Sequence, residues 1–200
     1  MKTLLILGSD KLSQLVISKI GLNKHTEILI DKSTNLKRIF KLIAKGVISP
    51  LLFAKMCYCE LIRNSFFFLE SFKSIKSNKE LLDIVENNNI KKIILFRVGL
   101  IINKELIKKK ILILNIHAAK IPKFGGIGSI QKALNKKEFN QYASLHIVTK
   151  TIDKGRVLDK EKYLLSPNNS YCLNEEIAYK ASIKLLSRTL LKNSKMKNLY

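Results

Sequence analysis

Asn115 and His117, one residue apart at the end of the apolar run Leu112-Ile113-Leu114, are the pair in this 200-residue chain whose types and spacing most suggest chemistry. An amide beside an imidazole places a hydrogen-bond donor next to a group that titrates near neutrality and can carry a proton in either direction. Residues 111–114 are short, continuous and rich in β-branched side chains, as in a parallel strand covered on both faces. Ala118-Ala119-Lys120-Ile121-Pro122 then turns the chain out of the sheet. Positions 115 and 117 share one face of such a strand. Ligands of open α/β sheets bind beyond the carboxyl ends of the strands, so this pair marks a candidate site. A strand-end histidine that only completes the packing is the competing reading.

Downstream, Pro122-Lys123-Phe124-Gly125-Gly126-Ile127-Gly128 is a glycine-rich turn before an apolar-periodic segment, which predicts a helix opening near Ser129 with free backbone N–H groups. A strand is predicted from Ser144 to Thr149, a tight loop from Thr151 to Gly155 with Asp153 at its turn, and a strand from Val157 to Leu165. An aspartate before Lys154-Gly155 is also what a plain turn requires. The order strand, Asn-x-His, Pro-x-x-Gly, helix, strand, Asp-x-Gly, strand resembles the catalytic core of the folate-dependent formyltransferases. The 36 positions from His117 to Asp153 (153 − 117) resemble the glycinamide ribonucleotide branch. The likeness covers about residues 80–165. Gly8-Ser9 and Gly99-Leu100-Ile101-Ile102 fit its general plan, while Ala118 stands where a proline is common and Gly125 where an arginine is frequent. The fuller glycine- and asparagine-containing phosphate loop is not evident in Gly8-Ser9-Asp10-Lys11-Leu12.

The resemblance implies an α/β, Rossmann-like doubly wound fold, with a mostly parallel sheet and helices on both faces. It implies transfer of a formyl group from 10-formyltetrahydrofolate to an amine. Asn115 would donate to the oxygen that becomes negative, His117 would move protons between attacking and leaving nitrogens, and Asp153 would orient and stabilise the imidazole. No covalent enzyme intermediate and no metal are implied; Cys57 and Cys59 lie far upstream, and Cys172 is expected to face a helix core. Folate would sit between Val98, Gly99 and Ile101 on one side and Thr151 and Ile152 on the other, with backbone groups reading the pterin. Gly8, Ser9 and Gly126 would face the acceptor, most simply an amino sugar on a nucleotide or lipid carrier in surface-polysaccharide synthesis. Glycinamide ribonucleotide and methionyl-tRNA are the alternative acceptors. The missing phosphate loop weighs against the first, and the short sequence after the core weighs against the second. A non-catalytic binding module of the same shape is the alternative of another class.

Alternating strand and helix patterns support the parallel sheet independently: strand 3–7, helix 11–20, strand 26–31, helix 78–86, strand 91–96, helix 103–109, then the strand ending at Asn115. An amphipathic helix over 174–191 closes the pattern. Apolar content of 46% suits one domain spanning 1–200. Three irregularly spaced cysteines and no cleavable leader point to a reducing cytoplasm. The net charge of +22 favours an anionic acceptor through long-range attraction. Nucleic acid is set aside as a partner, because only five of the 37 basic residues are arginine and the Lys, Ile and Asn bias can come from AT-rich coding.

The segment 36–75 is the least ordinary. It predicts two basic amphipathic helices joined near Gly46 to Pro50, followed by Phe66-Phe67-Phe68-Leu69. Such an insert can pack on the sheet, meet a second subunit in a homodimer, or make a peripheral membrane contact. It also resembles the helical insert of formyltransferases that serve surface-polysaccharide assembly.

Overall fold

The computed structural model describes residues 2–20, 26–34, 36–64 and 71–192. Five strands are parallel neighbours or begin as such: β1 (Thr3–Gly8), β2 (Thr26–Asp31), β3 (Ser74–Ile75), β4 (Lys92–Phe96) and β5 (Leu112–His117). β6 (Asn140–Ile147) and β7 (Val157–Leu164) add to β5 in antiparallel fashion, so the sheet order is β3-β2-β1-β4-β5-β6-β7. The helices are α1 (Lys11–Lys19), α2 (Leu36–Ala44), α3 (Pro50–Ile62), α4 (Asn78–Asn87), α5 (Lys104–Lys108), α6 (Ser129–Asn135) and α7 (Tyr171–Lys192).

Strand alternation builds two cores. Leu5 and Leu7 of β1 face one side, where they join Val16 of α1 and Ile183, Leu185 and Leu186 of α7. Leu4 and Ile6 face the other, with Leu81 and Val85 of α4 and Leu106 of α5. Both faces of the inner strands are therefore dry, which is why these strands read as unbroken apolar runs. Local signals set the helix starts. The side chains of Asp10, Ser49, Ser77 and Asn103 each accept a hydrogen bond from the backbone N–H three residues on, and Pro50 occupies the first turn of α3. Gly46, with φ +67°, ends α2 in the left-handed region, and Val47 N–H closes back on Leu42 O at 3.0 Å.

Three expectations are corrected. The predicted insert over 36–75 contains its two helices, but Ser74–Ile75 belongs to the sheet as β3, a strand too short to leave a periodic signal; Phe66–Leu69 lies outside the described residues. β6 begins at Asn140, before the predicted Ser144, because it pairs along its whole length with β7. Cys172 does not merely face a helix core: it is bonded to Cys59, tying α3 to α7. The cysteine-based ground for a reducing compartment falls with it. Among the described residues no helix is long and apolar enough to cross a membrane.

Candidate active site

β5 carries Asn115 and His117 on the pleat face of Ile113, at the end of the strand where the helical cover stops. Antiparallel pairing sets Asn115 opposite His146 and His117 opposite Ser144. Directly paired residues share a sheet face, so His146 joins the two predicted groups. Asp153 arrives from the loop between β6 and β7, held in the left-handed region with φ +51°. It is buried, with 8% of its surface exposed, and all four side chains line one cleft.

The Asp153 carboxylate is the hub. Its Oδ2 accepts the Gly126 N–H at 2.7 Å and lies 3.4 Å from His117 Nδ1. Its Oδ1 lies 3.4 Å from Asn115 Nδ2 and 3.3 Å from His146 Nε2. Burial alone would raise the pKa of this carboxyl. The His146 contact, the nearby His117 charge and the Gly126 N–H outweigh that and hold it at about 2, so Asp153 is a carboxylate at neutral pH. His117 goes the other way: burial pushes its pKa below the ordinary 6.5, partly opposed by Asp153.

Tautomers follow from the acceptors. His117 Nε2 lies 2.8 Å from Phe124 O, a group that can only accept, so Nε2 carries hydrogen and the neutral ring keeps its lone pair on Nδ1, toward Asp153. His146 Nδ1 likewise donates to Ile147 O at 3.0 Å, and its Nε2 lies 3.1 Å from Asn115 Nδ2 and 3.3 Å from Asp153 Oδ1. The Asn115 amide is thus shared between a good contact to His146 and a long one to Asp153. A proton arriving on His117 Nδ1 meets a carboxylate already in place.

Glycines make this packing fit. A Cβ on Gly125 would stand 3.0 Å from the Asp153 Cβ, and Gly126 and Gly128 both hold positive φ. A Cβ on Gly155 would overlap the Ile147 carbonyl oxygen, where the loop recrosses the end of β6. Gly155→Ala is therefore expected to push the loop off the strand, lower stability by about 1–3 kcal/mol and displace Asp153. Thermal melts, together with the loss of any activity carried by Asp153, check it.

The cleft has a volume of about 530 Å³, within the range of small-molecule sites. Of the predicted folate-side residues, Val98, Gly99, Ile101 and Ile152 line it, with Ile101 and Ile152 exposed; Thr151 does not, and its carbonyl accepts from Thr149 Oγ1 at 3.0 Å. The Gly99 backbone is already engaged, its N–H by Asp31 Oδ2 at 2.6 Å and its carbonyl by Arg38 at 2.6 Å. Gly99 thus holds the strand exit in place through Asp31, a buried residue of β2. Of the predicted acceptor-side residues, Gly126 lines the cleft, whereas Gly8 and Ser9 lie outside its lining. A Cβ on Gly8 would stand 2.5 Å from Arg97 O, so this glycine serves the close approach of two strand ends.

Elsewhere in the cleft, charges are paired. Arg97 Nε meets Asp10 Oδ2 at 2.6 Å, its guanidinium stacks 4.2 Å above the Tyr179 ring, and its Nη1 lies 3.6 Å from Glu175. Glu175 also meets Arg63 at 2.6 Å. The groups that sequence reasoning missed are His146, Glu175 and Tyr179, since only strand register and helix placement bring them here. Among the described residues no group of His, Cys, Asp or Glu has the placement of a metal-binding set.

Known proteins share this arrangement of chain. The chain is 25% identical over 173 residues to the methionyl-tRNA formyltransferase of Blochmanniella floridana; that alignment covers 86% of the chain and 49% of the relative, so the chain spans about half the length of this curated relative. The phosphoribosylglycinamide formyltransferase of Streptococcus pneumoniae superposes with a TM-score of 0.62 at 20% identity, covering 95% of the chain and 97% of that structure. A sugar N-formyltransferase from a Shewanella species gives 0.62 at 16% identity, covering 96% and 69%. These structures share the fold. The family model described as formyl transferase matches residues 28–190, a span that runs from within β2 into α7 and takes in every polar group of the cleft, and the chain belongs to the formyl transferase family.

Proposed function

We propose that this protein transfers a formyl group from 10-formyltetrahydrofolate to a primary amine, and that the amine belongs to an amino sugar carried on a nucleotide or a lipid. The observation that carries the reading is the convergence of Asn115, His117 and Asp153 as a polar wall in a cleft whose lining also includes the apolar Leu42, Phe53, Ile101 and Ile152. Such a cleft suits a flat, partly apolar donor: Val98, Ile101 and Ile152 would hold it, with the polar wall at its reacting end.

When bound, the donor supplies a formyl group activated on a nitrogen. The acceptor nitrogen forms a new bond to the formyl carbon as the bond from that carbon to the folate nitrogen breaks. His117 Nδ1 takes the proton lost by the attacking amine and returns it to the leaving nitrogen. Asp153 stabilises the imidazolium between these events and keeps the ring in one orientation. Asn115 Nδ2 releases its long contact to Asp153 and donates to the oxygen as it becomes negative, while His146 holds the amide in register.

The paired charges at the end of β1 weigh against glycinamide ribonucleotide as the acceptor. Asp10 stands beside Gly8-Ser9 and neutralises Arg97, which disfavours a phosphate at that point. The methionyl-tRNA reading draws on the identity to the Blochmanniella floridana enzyme. Calorimetry with 5-formyltetrahydrofolate is the first test. Saturable binding that Asp153→Ala weakens is the expected result. Release of tetrahydrofolate is then followed with nucleotide-linked amino sugars, glycinamide ribonucleotide and methionyl-tRNA, and turnover with the first class alone supports the acceptor. A folded protein without folate binding turns the reading to a non-catalytic module.

A further inference from the structure

α3 carries apolar side chains on every side, yet the described residues cover only one of them. Leu52 and Cys59 are buried, and Phe53 and Met56 line the cleft. On the opposite side Leu51, Tyr58, Leu61 and Ile62 are 67%, 60%, 77% and 55% exposed. Positions 51, 58 and 62, with Lys55 between them, recur at helical spacing and form one row. A helix hydrophobic all round is normally covered all round. α2 adds the complementary charge. Its Ile39 and Leu42 line the same cleft, while Lys37 and Lys41 at four-residue spacing, continued by Lys45, are exposed beside Phe40, itself 63% exposed. Both helices turn one side to the same cleft and leave their outer sides exposed.

We propose that this outer face of α2 and α3 docks the protein on an anionic lipid surface. Lysines beside exposed Leu, Ile, Phe and Tyr side chains are the composition that lies in a membrane interface, with ammonium groups at the headgroups and apolar groups at the acyl boundary. Glu60 is the only acidic residue between 36 and 64, and it points inward to accept the Lys11 N–H at 2.7 Å. The face therefore carries no negative charge to oppose an anionic surface. A second copy of the chain fits less well, since pairing these faces would set lysine rows against each other in a protein of net charge +22. The docking does not depend on which amine the cleft serves.

The test is sedimentation of the full chain with vesicles of phosphatidylcholine alone and of phosphatidylcholine mixed with phosphatidylglycerol. Partitioning at least about tenfold stronger into the mixed vesicles is expected. The triple variant Leu51→Ser, Tyr58→Ser, Leu61→Ser should weaken it by about tenfold with an unchanged thermal melt, and so should Lys37→Glu, Lys41→Glu, Lys45→Glu. Lys104→Glu, Lys108→Glu, Lys110→Glu makes the same change of charge on and after α5 and should leave partitioning within about twofold. Equal losses from the two lysine sets would show general adhesion of a basic protein and overturn the proposal. Equal partitioning into both vesicle types would do the same, as would a vesicle-independent dimer, seen by light scattering, that the serine variant dissolves.

Discussion

Replacing His117 with alanine is expected to lower the rate of formyl transfer by at least about a hundredfold, and Asp153→Ala by a similar factor. The two losses have different origins. His117 is the group whose neutral form accepts the proton: Phe124 O fixes hydrogen on Nε2, and burial holds the pKa below 6.5 so that the lone pair on Nδ1 is present at neutrality. Asp153 contributes by being ionised when that proton arrives, 3.4 Å from Nδ1, with its pKa held at about 2. The pH profile separates them. Because the active imidazole is neutral, the wild-type rate should hold through pH 7 and fall on acidification through a value below 6.5. In His117→Ala that acid limb should vanish. Asp153→Asn removes the charge that favours imidazolium, so the limb should move to still lower pH while the rate falls. Near-native turnover in either alanine variant would remove that residue from the mechanism. An unchanged acid limb in His117→Ala would assign the titration to another group.

The second large effect is on stability. Glu175 lies nearly buried on α7 between two guanidinium groups, Arg63 at 2.6 Å and Arg97 at 3.6 Å, with only 4% of its side chain exposed. Removing one partner of a buried pair leaves the other charge uncompensated, which typically costs about 3–5 kcal/mol. Arg97 keeps Asp10 at 2.6 Å, so the burden falls on Arg63, whose side chain is 7% exposed and whose nearest remaining carboxylates among the described residues are at 3.8 and 4.0 Å. Glu175→Ala is thus expected to lower stability by about 3 kcal/mol and the melting temperature by roughly 6–12 °C. Adding Arg63→Met should recover most of the loss, since no charge is then left stranded. Urea unfolding of the single and double variants measures both. A loss under about 1 kcal/mol would mean that Arg63 finds water or another carboxylate at little expense.

Several elements of this protein could be read from the chain alone because their causes are local. Unbroken runs such as Lys92–Phe96 and Leu112–Leu114 announce strands covered on both faces, and capping side chains at Asp10, Ser77 and Asn103 mark where helices begin. One pleat face for Asn115 and His117 follows from the two-residue period of a strand. The order of motifs from Asn115 to Gly155 was enough to indicate the family, because Asn-x-His and Asp-x-Gly lie at strand ends that the fold brings together.

Other features needed the tertiary structure because their causes are non-local. His146 faces Asn115 only through antiparallel register, and a slip of one residue would turn it to the opposite face. The antiparallel entry of β6 itself had no local signature, since strand direction depends on how the chain returns to the sheet. The packing of α7 against the end of β4 sets Arg97 among Asp10, Glu175 and Tyr179, which lie 87, 78 and 82 positions away along the chain (97 − 10, 175 − 97, 179 − 97). The Cys59–Cys172 bond joins residues 113 positions apart, a closeness that no spacing rule could supply. The sequence by itself determined which groups could do the chemistry and which strands deliver them. Only the packed chain decided their partners, protonation and burial, because these depend on distances between segments that are remote along the backbone.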